Sequence, residues 1–209
     1  MKAISLIGFS GIGKSFWSLQ FERIGFERIC CDDLVERELA KYLKRYSQAG
    51  IKTVAAWMGQ PYSSGYKERE KKYIRAEKVV MQKIIRKLSG NRRSLAVLDT
   101  TGSVIYTGVP VCQSLQRVSQ VVYIQPSAQA TQQMFERYIL DPKPVIWGNQ
   151  FKQKPGQTDL QALTTCYPRL LKYRAQQYKK YAEVILPYES TSQINFTILD
   201  FLHAVLQYK

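Results

Sequence analysis

The run Gly8-Phe9-Ser10-Gly11-Ile12-Gly13-Lys14-Ser15 sets two glycines five positions apart, the second followed at once by a lysine and a serine. That spacing is suited to holding phosphate. Glycines let successive backbone N–H groups curl around phosphate oxygens, and a helix starting at the end of the run adds its positive dipole end. A lysine in this place neutralises the β and γ phosphates of a nucleoside triphosphate, and the next hydroxyl holds magnesium. Lys14 is thus the expected phosphate ligand and catalytic group, and Ser15 a metal ligand. Gly8, Ser10, Gly11, Ile12, Gly13 and Phe16 complete the cradle. Two other segments carry side chains fit for chemistry: Asp32 and Asp33, and Asp99 with Thr101-Gly102-Ser103 just after it.

For such a loop to work it must leave a strand and enter a helix. Residues 2–8 read as a short buried strand, 14–25 as a helix closed at Gly25, and 26–31 as a second strand ending at the Asp32–Asp33 doublet. A charged helix over 34–50, a loop over 59–65 and a basic amphipathic helix over 66–88 follow. The apolar run 95–98 is another strand, ending at Asp99, with 100–103 as its turn. Next come a short helix over 109–116, a strand over 120–124 and a helix over 128–140. Residues 141–158 have little periodicity and are a lid candidate. A helix over 159–181 and a last strand over 183–186 lead to a final helix capped by Ser192, with Ile194, Ile198, Phe201, Leu202 and Val205 at helical spacing. Strands alternating with helices give an α/β class: a three-layer α/β/α sandwich with a mainly parallel five-stranded sheet. Ligands of such sheets bind beyond the carboxyl ends of the strands. The phosphate loop, Asp32 and the turn from Asp99 to Ser103 all follow strand ends, so one crevice should gather them.

A chain of 209 residues with 45% apolar content buries one sizeable core, so a single domain over 1–209 is expected, with 34–90 as its acceptor-binding helical region. The first ten residues lack the basic head, long apolar stretch and cleavage site of a secretory signal, and no run reaches about 18 apolar residues. A cytoplasmic location with no membrane partner is the expectation. Cys30, Cys31, Cys112, Cys166 and the single His203 have no metal-site spacing, and the cysteines read as reduced thiols. The formal charge is +15, and residues 36–93 hold 16 basic against 5 acidic residues, a net +11. Such a surface steers an anionic nucleotide, keeps the chain soluble, or serves a nucleic-acid partner.

With the loop, the acidic doublet and the lid-like stretch in place, the chain resembles the shikimate kinases, small-molecule kinases of the P-loop NTPase class with the nucleoside monophosphate kinase fold. The resemblance runs over about residues 2–186 and implies an ATP- and Mg2+-dependent transfer of a phosphoryl group to an alcohol. In that family an Asp-x-Asp pair ends the second strand. Asp32 matches the second, acceptor-holding position, and Cys30 stands in place of the first acid. Asp99 is then the acid left for the metal, as in the adenylate-kinase relatives; alternatively it is a turn residue binding nearby amides. Lys67 stands for the family's acceptor-site arginine, without that group's planar fork. Gly102 alone survives of the glycine triplet. Arg137 resembles the arginine near the adenine, Lys143 the lid arginine, and Arg174 the arginine that binds the acceptor's carboxylate. The nucleotide half of the pattern is kept better than the acceptor half, so the expected acceptor is a small hydroxylated molecule other than shikimate.

In the mechanism this implies, Asp32 accepts the acceptor's hydroxyl proton, Asp33 caps the following helix, and closure of 141–158 excludes water, with Lys152 and Lys154 as further cations. Two other readings stand beside it. One is a nucleic-acid protein or RNA/DNA-end kinase, in which Tyr42, Tyr46, Trp57, Tyr62, Tyr66 and Tyr73 stack on bases. The other is a regulatory NTPase that switches on nucleotide binding.

Overall fold

Five short strands form one sheet in the computed structural model, which describes residues 3–46, 50–90, 95–140 and 145–207. They are β1 (Ala3–Ile7), β2 (Glu27–Cys30), β3 (Ala96–Asp99), β4 (Ser119–Gln125) and β5 (Val184–Pro187), in the spatial order β2-β3-β1-β4-β5. Every pairing is parallel. Because helices cover both faces, the strands are apolar on both. Side chains alternate, so Ile4, Leu6, Val97, Val122 and Ile124 meet one layer, and Ala3, Ile7, Leu98, Val121 and Tyr123 the other. The first layer holds α1 (Lys14–Arg23), whose Trp17 and Phe21 rings pack on Phe201 of the last helix. The second holds α2 (Cys31–Leu43), α3 (Ile51–Met58), α4 (Tyr66–Gly90) and α5 (Val109–Val118), with a 3-10 turn at Val104–Thr107. The expected three-layer α/β/α arrangement is the one observed.

The stripe that buries α4 runs through Tyr66, Glu70, Tyr73, Glu77, Val80, Ile84 and Leu88, at steps of three and four, and faces Val35, Leu39 and Leu43 of α2. Two of its places hold glutamates. An isolated charge is costly to bury, so each must be matched by donors, and each is. Beyond β4 come α6 (Ala128–Leu140) and α7 (Asp159–Tyr181). Thr158 and Gln161 close α7's first turn by a reciprocal pair of side-chain bonds. A single turn, α8 (Tyr188–Thr191), follows β5, and α9 (Ile198–Gln207) ends the described chain.

Several sequence expectations are corrected. The helix expected over 34–50 begins at Cys31 and ends at Leu43, so Asp32 and Asp33 lie inside the first turn of α2, where the helix dipole favours carboxylates. The N-cap position belongs to Cys30, so Asp33 is not the cap. The eight residues of α3, set between two glycines, are too few to show a period. At the C-terminal end Ser192 caps nothing in α9. There Thr197 and Asp200 bond reciprocally, Asp200 Oδ2 accepting from Thr197 N at 2.8 Å and Thr197 Oγ1 accepting from Asp200 N at 3.3 Å. That pair fixes the helix start downstream of Ile194, which is fully exposed rather than part of the apolar stripe. Of the six aromatics expected to offer stacking platforms, Trp57, Tyr66 and Tyr73 are core residues, and Tyr42 stacks on Trp57 with centroids 5.9 Å apart. Among the described residues no helix is long and apolar enough to cross a membrane.

Candidate active site

Between β1 and α1 the chain makes the turn that the glycine pattern requires. Gly11 has φ +77° and Gly13, the N-cap of α1, has φ +98°, a hand of backbone that L side chains rarely adopt. With glycine at the cap no side chain satisfies the first N–H groups of α1, which is the arrangement that receives an anion. Lys14 is buried, and its Nζ donates to Phe9 O at 2.8 Å and to Gly8 O at 3.1 Å. Burial lowers its pKa, while the carboxylates of Asp99 and Asp32 pull the other way. A triphosphate tail in this turn would supply the negative charge that a buried ammonium group needs.

A cavity of about 330 Å³ opens from the loop across the carboxyl edge of the sheet, lined by Ser10, Gly11, Lys14, Ser15, Asp32, Asp99, Gly102, Arg137 and Arg174 among others. Asp32 enters it from the first turn of α2. Burial raises its pKa, against the pull of Lys14 and with the push of Asp99 and Asp33. Asp99 ends β3, in register with Cys30 on β2, so the carboxylate missing from one strand end stands on the neighbouring one. Its hydrogen-bond partners among the described residues are the side chains of Ser18 and Arg28, both 3.4 Å from Oδ2, and not turn amides. Gly102 is needed for close approach: a Cβ there would lie 3.3 Å from Ser10 N and 3.7 Å from Arg174 Nη1. Arg174 is buried on α7, its Nη2 donates to Ile146 O at 2.7 Å, and its guanidinium lies 5.5 Å from the centre of the Tyr106 ring. Its Nε is buried without a hydrogen-bond partner among the described residues.

Other expected site residues lie elsewhere. Ile12 packs into the sheet core, so only its backbone faces the loop. Phe16 is exposed on the far side of the turn, in a separate cavity of about 400 Å³ shared with Tyr188 and Ile194. Lys67 does not line the central cavity. Its ammonium group pairs with Glu70 Oε2 at 3.0 Å and donates to Gly148 O. Lys143 falls outside the described residues. The start of the lid candidate is fastened: Glu70 Oε1 accepts from Trp147 N at 2.7 Å, Gly148 N at 2.8 Å and Tyr66 Oη at 2.9 Å, and Ile146 and Trp147 are buried. Residues 152–157 are mostly exposed and carry Lys152 and Lys154.

Sequence reasoning missed Tyr138 and Tyr167 and named Tyr73 only as a base-stacking aromatic, though all three line the cavity; it brought the turn from Asp99 to Ser103 to the crevice but gave the Thr101 and Ser103 hydroxyls no role. It also missed Glu77, whose carboxyl group holds both of those hydroxyls. The available signal was an acid at a buried position of a helical stripe, repeated seven residues after Glu70.

A glycine-rich turn before the first helix of an all-parallel 2-3-1-4-5 sheet, opening on a crevice at the carboxyl edge, is the fold of the phosphate-loop small-molecule kinases. No protein-family model matches the chain, and no curated protein sequence does. Solved structures do. Shikimate kinase from Acinetobacter baumannii in complex with shikimate is 22% identical, with 99% of this chain and 92% of that chain covered and a TM-score of 0.61. Shikimate kinase from Aquifex aeolicus is 15% identical, with 98% and 96% covered and a TM-score of 0.58. Dephospho-CoA kinase from Campylobacter jejuni is 13% identical, with 98% and 94% covered and a TM-score of 0.50. At these identities the likeness is one of fold.

Proposed function

We propose that this chain is an ATP-dependent kinase that transfers the γ-phosphoryl group to a hydroxyl of a small-molecule acceptor. One observation carries the reading: Lys14 and Ser15 of the phosphate loop share a cavity with Asp32, Asp99 and the buried Arg174. In this reading the loop amides and Lys14 hold the β and γ phosphates, and Arg137 on α6, which lines the same cavity, lies near the adenine. Magnesium, with Ser15 and Asp99 as its protein oxygens, would offset charge on the phosphates; hard oxygen donors of this kind suit it. As the acceptor oxygen bonds to the γ phosphorus and the bond to the bridging oxygen breaks, Asp32 takes the hydroxyl proton. Its raised pKa makes it a better base for that step. Arg174, which lines the cavity, receives an anionic group of the acceptor. Lys67, committed to Glu70 and Gly148, is withheld from the acceptor, which fits an acceptor other than shikimate. The 141–158 lid candidate, carrying Lys143, Lys152 and Lys154, closes over the phosphates.

The test is to incubate the protein with ATP, magnesium and a panel of hydroxylated metabolites and short RNAs, and to follow the mass of each. A gain of one phosphate on a metabolite is expected, and a gain on RNA alone would favour the nucleic-acid reading. Calorimetry showing no magnesium-dependent association with ATP or GTP would overturn the proposal.

A further inference from the structure

Glu77 lies on the buried face of α4, one turn after Tyr73, with no exposure to solvent. Its two carboxyl oxygens are taken by the two hydroxyls of one turn. Thr101 Oγ1 donates to Oε1, and Ser103 Oγ donates to Oε2 at 2.9 Å. Thr101 Oγ1 also accepts from Ser103 N at 3.1 Å. Both residues line the cavity that holds Asp32 and Arg174. The titratable groups facing Glu77 are Asp32 and Cys31 at the head of α2, Tyr73 on α4 itself, Cys112 on α5, and Arg174 and Tyr178 on α7.

A hydroxyl has one proton to donate and two lone pairs to offer. While Glu77 is a carboxylate, it accepts from both hydroxyls, and each proton is committed. What Thr101 and Ser103 then present to the cavity is lone pairs only. We propose that Glu77 sets the hydrogen-bond polarity of this wall, so that the site selects a ligand carrying a donor at that point, an alcohol O–H, over one carrying a carbonyl or ether oxygen. The two hydroxyl oxygens also lie 3.1 Å apart, a contact left without a proton while both hydroxyls donate to Glu77; Ser103 Oγ is the receiving atom, because Thr101 Oγ1 already accepts from an amide. The inference deepens the kinase reading and rests on it for the identity of the cavity's occupant. It assigns the acceptor a second hydroxyl beside the one phosphorylated, and so the class of polyhydroxylated molecules.

The charge on Glu77 is itself adjustable. Burial lifts its pKa to about 7, against the bonds from Thr101 and Ser103. Asp32 raises it and Arg174 lowers it. Once protonated, the carboxyl group donates one hydrogen bond, so one of the two hydroxyls must accept and its own proton is free to turn into the cavity. Selection for a donor should therefore fade as pH drops through about 7.

Cyclohexanol and cyclohexanone differ by the presence of one donor, and titrating each into the 15N-labelled protein at pH 8.5 and 5.5 reads that difference. At pH 8.5 the alcohol is expected to shift the Ser103 amide and to bind about threefold to tenfold more tightly than the ketone, the range one net hydrogen bond supports. At pH 5.5 the ratio should approach one. In Glu77→Gln, whose amide must donate to one of the hydroxyls, it should be near one at both pH values. Equal affinities at pH 8.5, a ratio indifferent to pH or to Glu77→Gln, or no response at Thr101 and Ser103 would overturn the proposal. Should Glu77→Gln fail to fold, Ser103→Ala keeps the Thr101 bond and is expected to abolish the preference by itself. No nucleotide takes part, so failure here leaves the kinase reading to its own test of ATP binding.

Discussion

Lys14 donates to two loop carbonyls at 2.8 and 3.1 Å, and in a buried setting these dipoles are weak substitutes for phosphate oxygens. Lys14→Met should therefore cost a hundredfold or more in kcat, about the range seen on removing one donor aimed at developing charge, with little loss of stability. Steady-state kinetics and thermal melts of the variant decide it. Asp32→Asn should lower kcat by roughly 10²- to 10⁴-fold. Wild-type activity should fall as pH drops through the Asp32 pKa, which burial raises, because protonation removes the base; the acid limb should vanish in Asp32→Asn. Lys67→Ala, by contrast, should leave the acceptor KM within a factor of about three, the effect of losing less than one net hydrogen bond. These assignments differ in how they could be read beforehand. The phosphate loop is legible in the sequence because its glycines answer a local demand of backbone hand, and Arg174 only through the resemblance to the shikimate kinases. Lys67 carried the right charge at the right spacing. Its partner Gly148, 81 residues away, is a fact of packing alone.

At the scale of elements α4 ties together the turn at Thr101–Ser103 and the strap at 145–148, and its two buried glutamates act on different neighbours. Glu70 binds the 145–148 strap through the amides of Trp147 and Gly148. Glu70→Ala should destabilise the fold by roughly 2–3 kcal/mol, the cost of stripping a charged acceptor from buried donors. Hydrogen exchange at those two amides should quicken well before the strands open. Glu77 gives stability a pH slope. In the unfolded chain it titrates near 4.5, and in the fold near 7. Below about 4.5 the proton is held in both states; between about 4.5 and 7 the unfolded chain is ionised while the buried group keeps its proton, so stability declines by roughly 3 kcal/mol across that window and levels off above it. The melting temperature of Glu77→Gln relative to wild type should thus become more positive from pH 5 to about 7 and change little from there to 8.5. Hydropathy marked α4 as amphipathic and basic, but it treats an acid on the apolar stripe as noise. What gives the acid meaning is the turn at Thr101–Ser103, which meets it only in three dimensions. Similarly α3, eight residues long, gave too few repeats to be seen, and the last helix started where Thr197 and Asp200 could cap each other rather than at the first available serine.

For the molecule as a whole, the parallel sheet and its layers were readable because each strand is a short apolar run covered on both faces, whereas the strand order β2-β3-β1-β4-β5 came only with the fold. The net +11 over residues 36–93 was equally plain, yet its aromatic companions proved to be mostly core. A charge of +15 should act on encounter: the association rate for ATP is expected to fall several-fold between about 20 and 200 mM salt, as the Debye length contracts, with a smaller change in dissociation. Stopped-flow binding measures both. The register carries one more implication. Ile4 pairs with Val97 on one side and Gln120 on the other, so β1 sits at the centre of the sheet while its partners lie about a hundred residues further along the chain. During synthesis the turn that follows β1 is therefore held without its sheet neighbours until β4 is out, and the closure of such distant pairs is slow. The glycine turn, though local in its own backbone demands, owes its footing to residues far downstream.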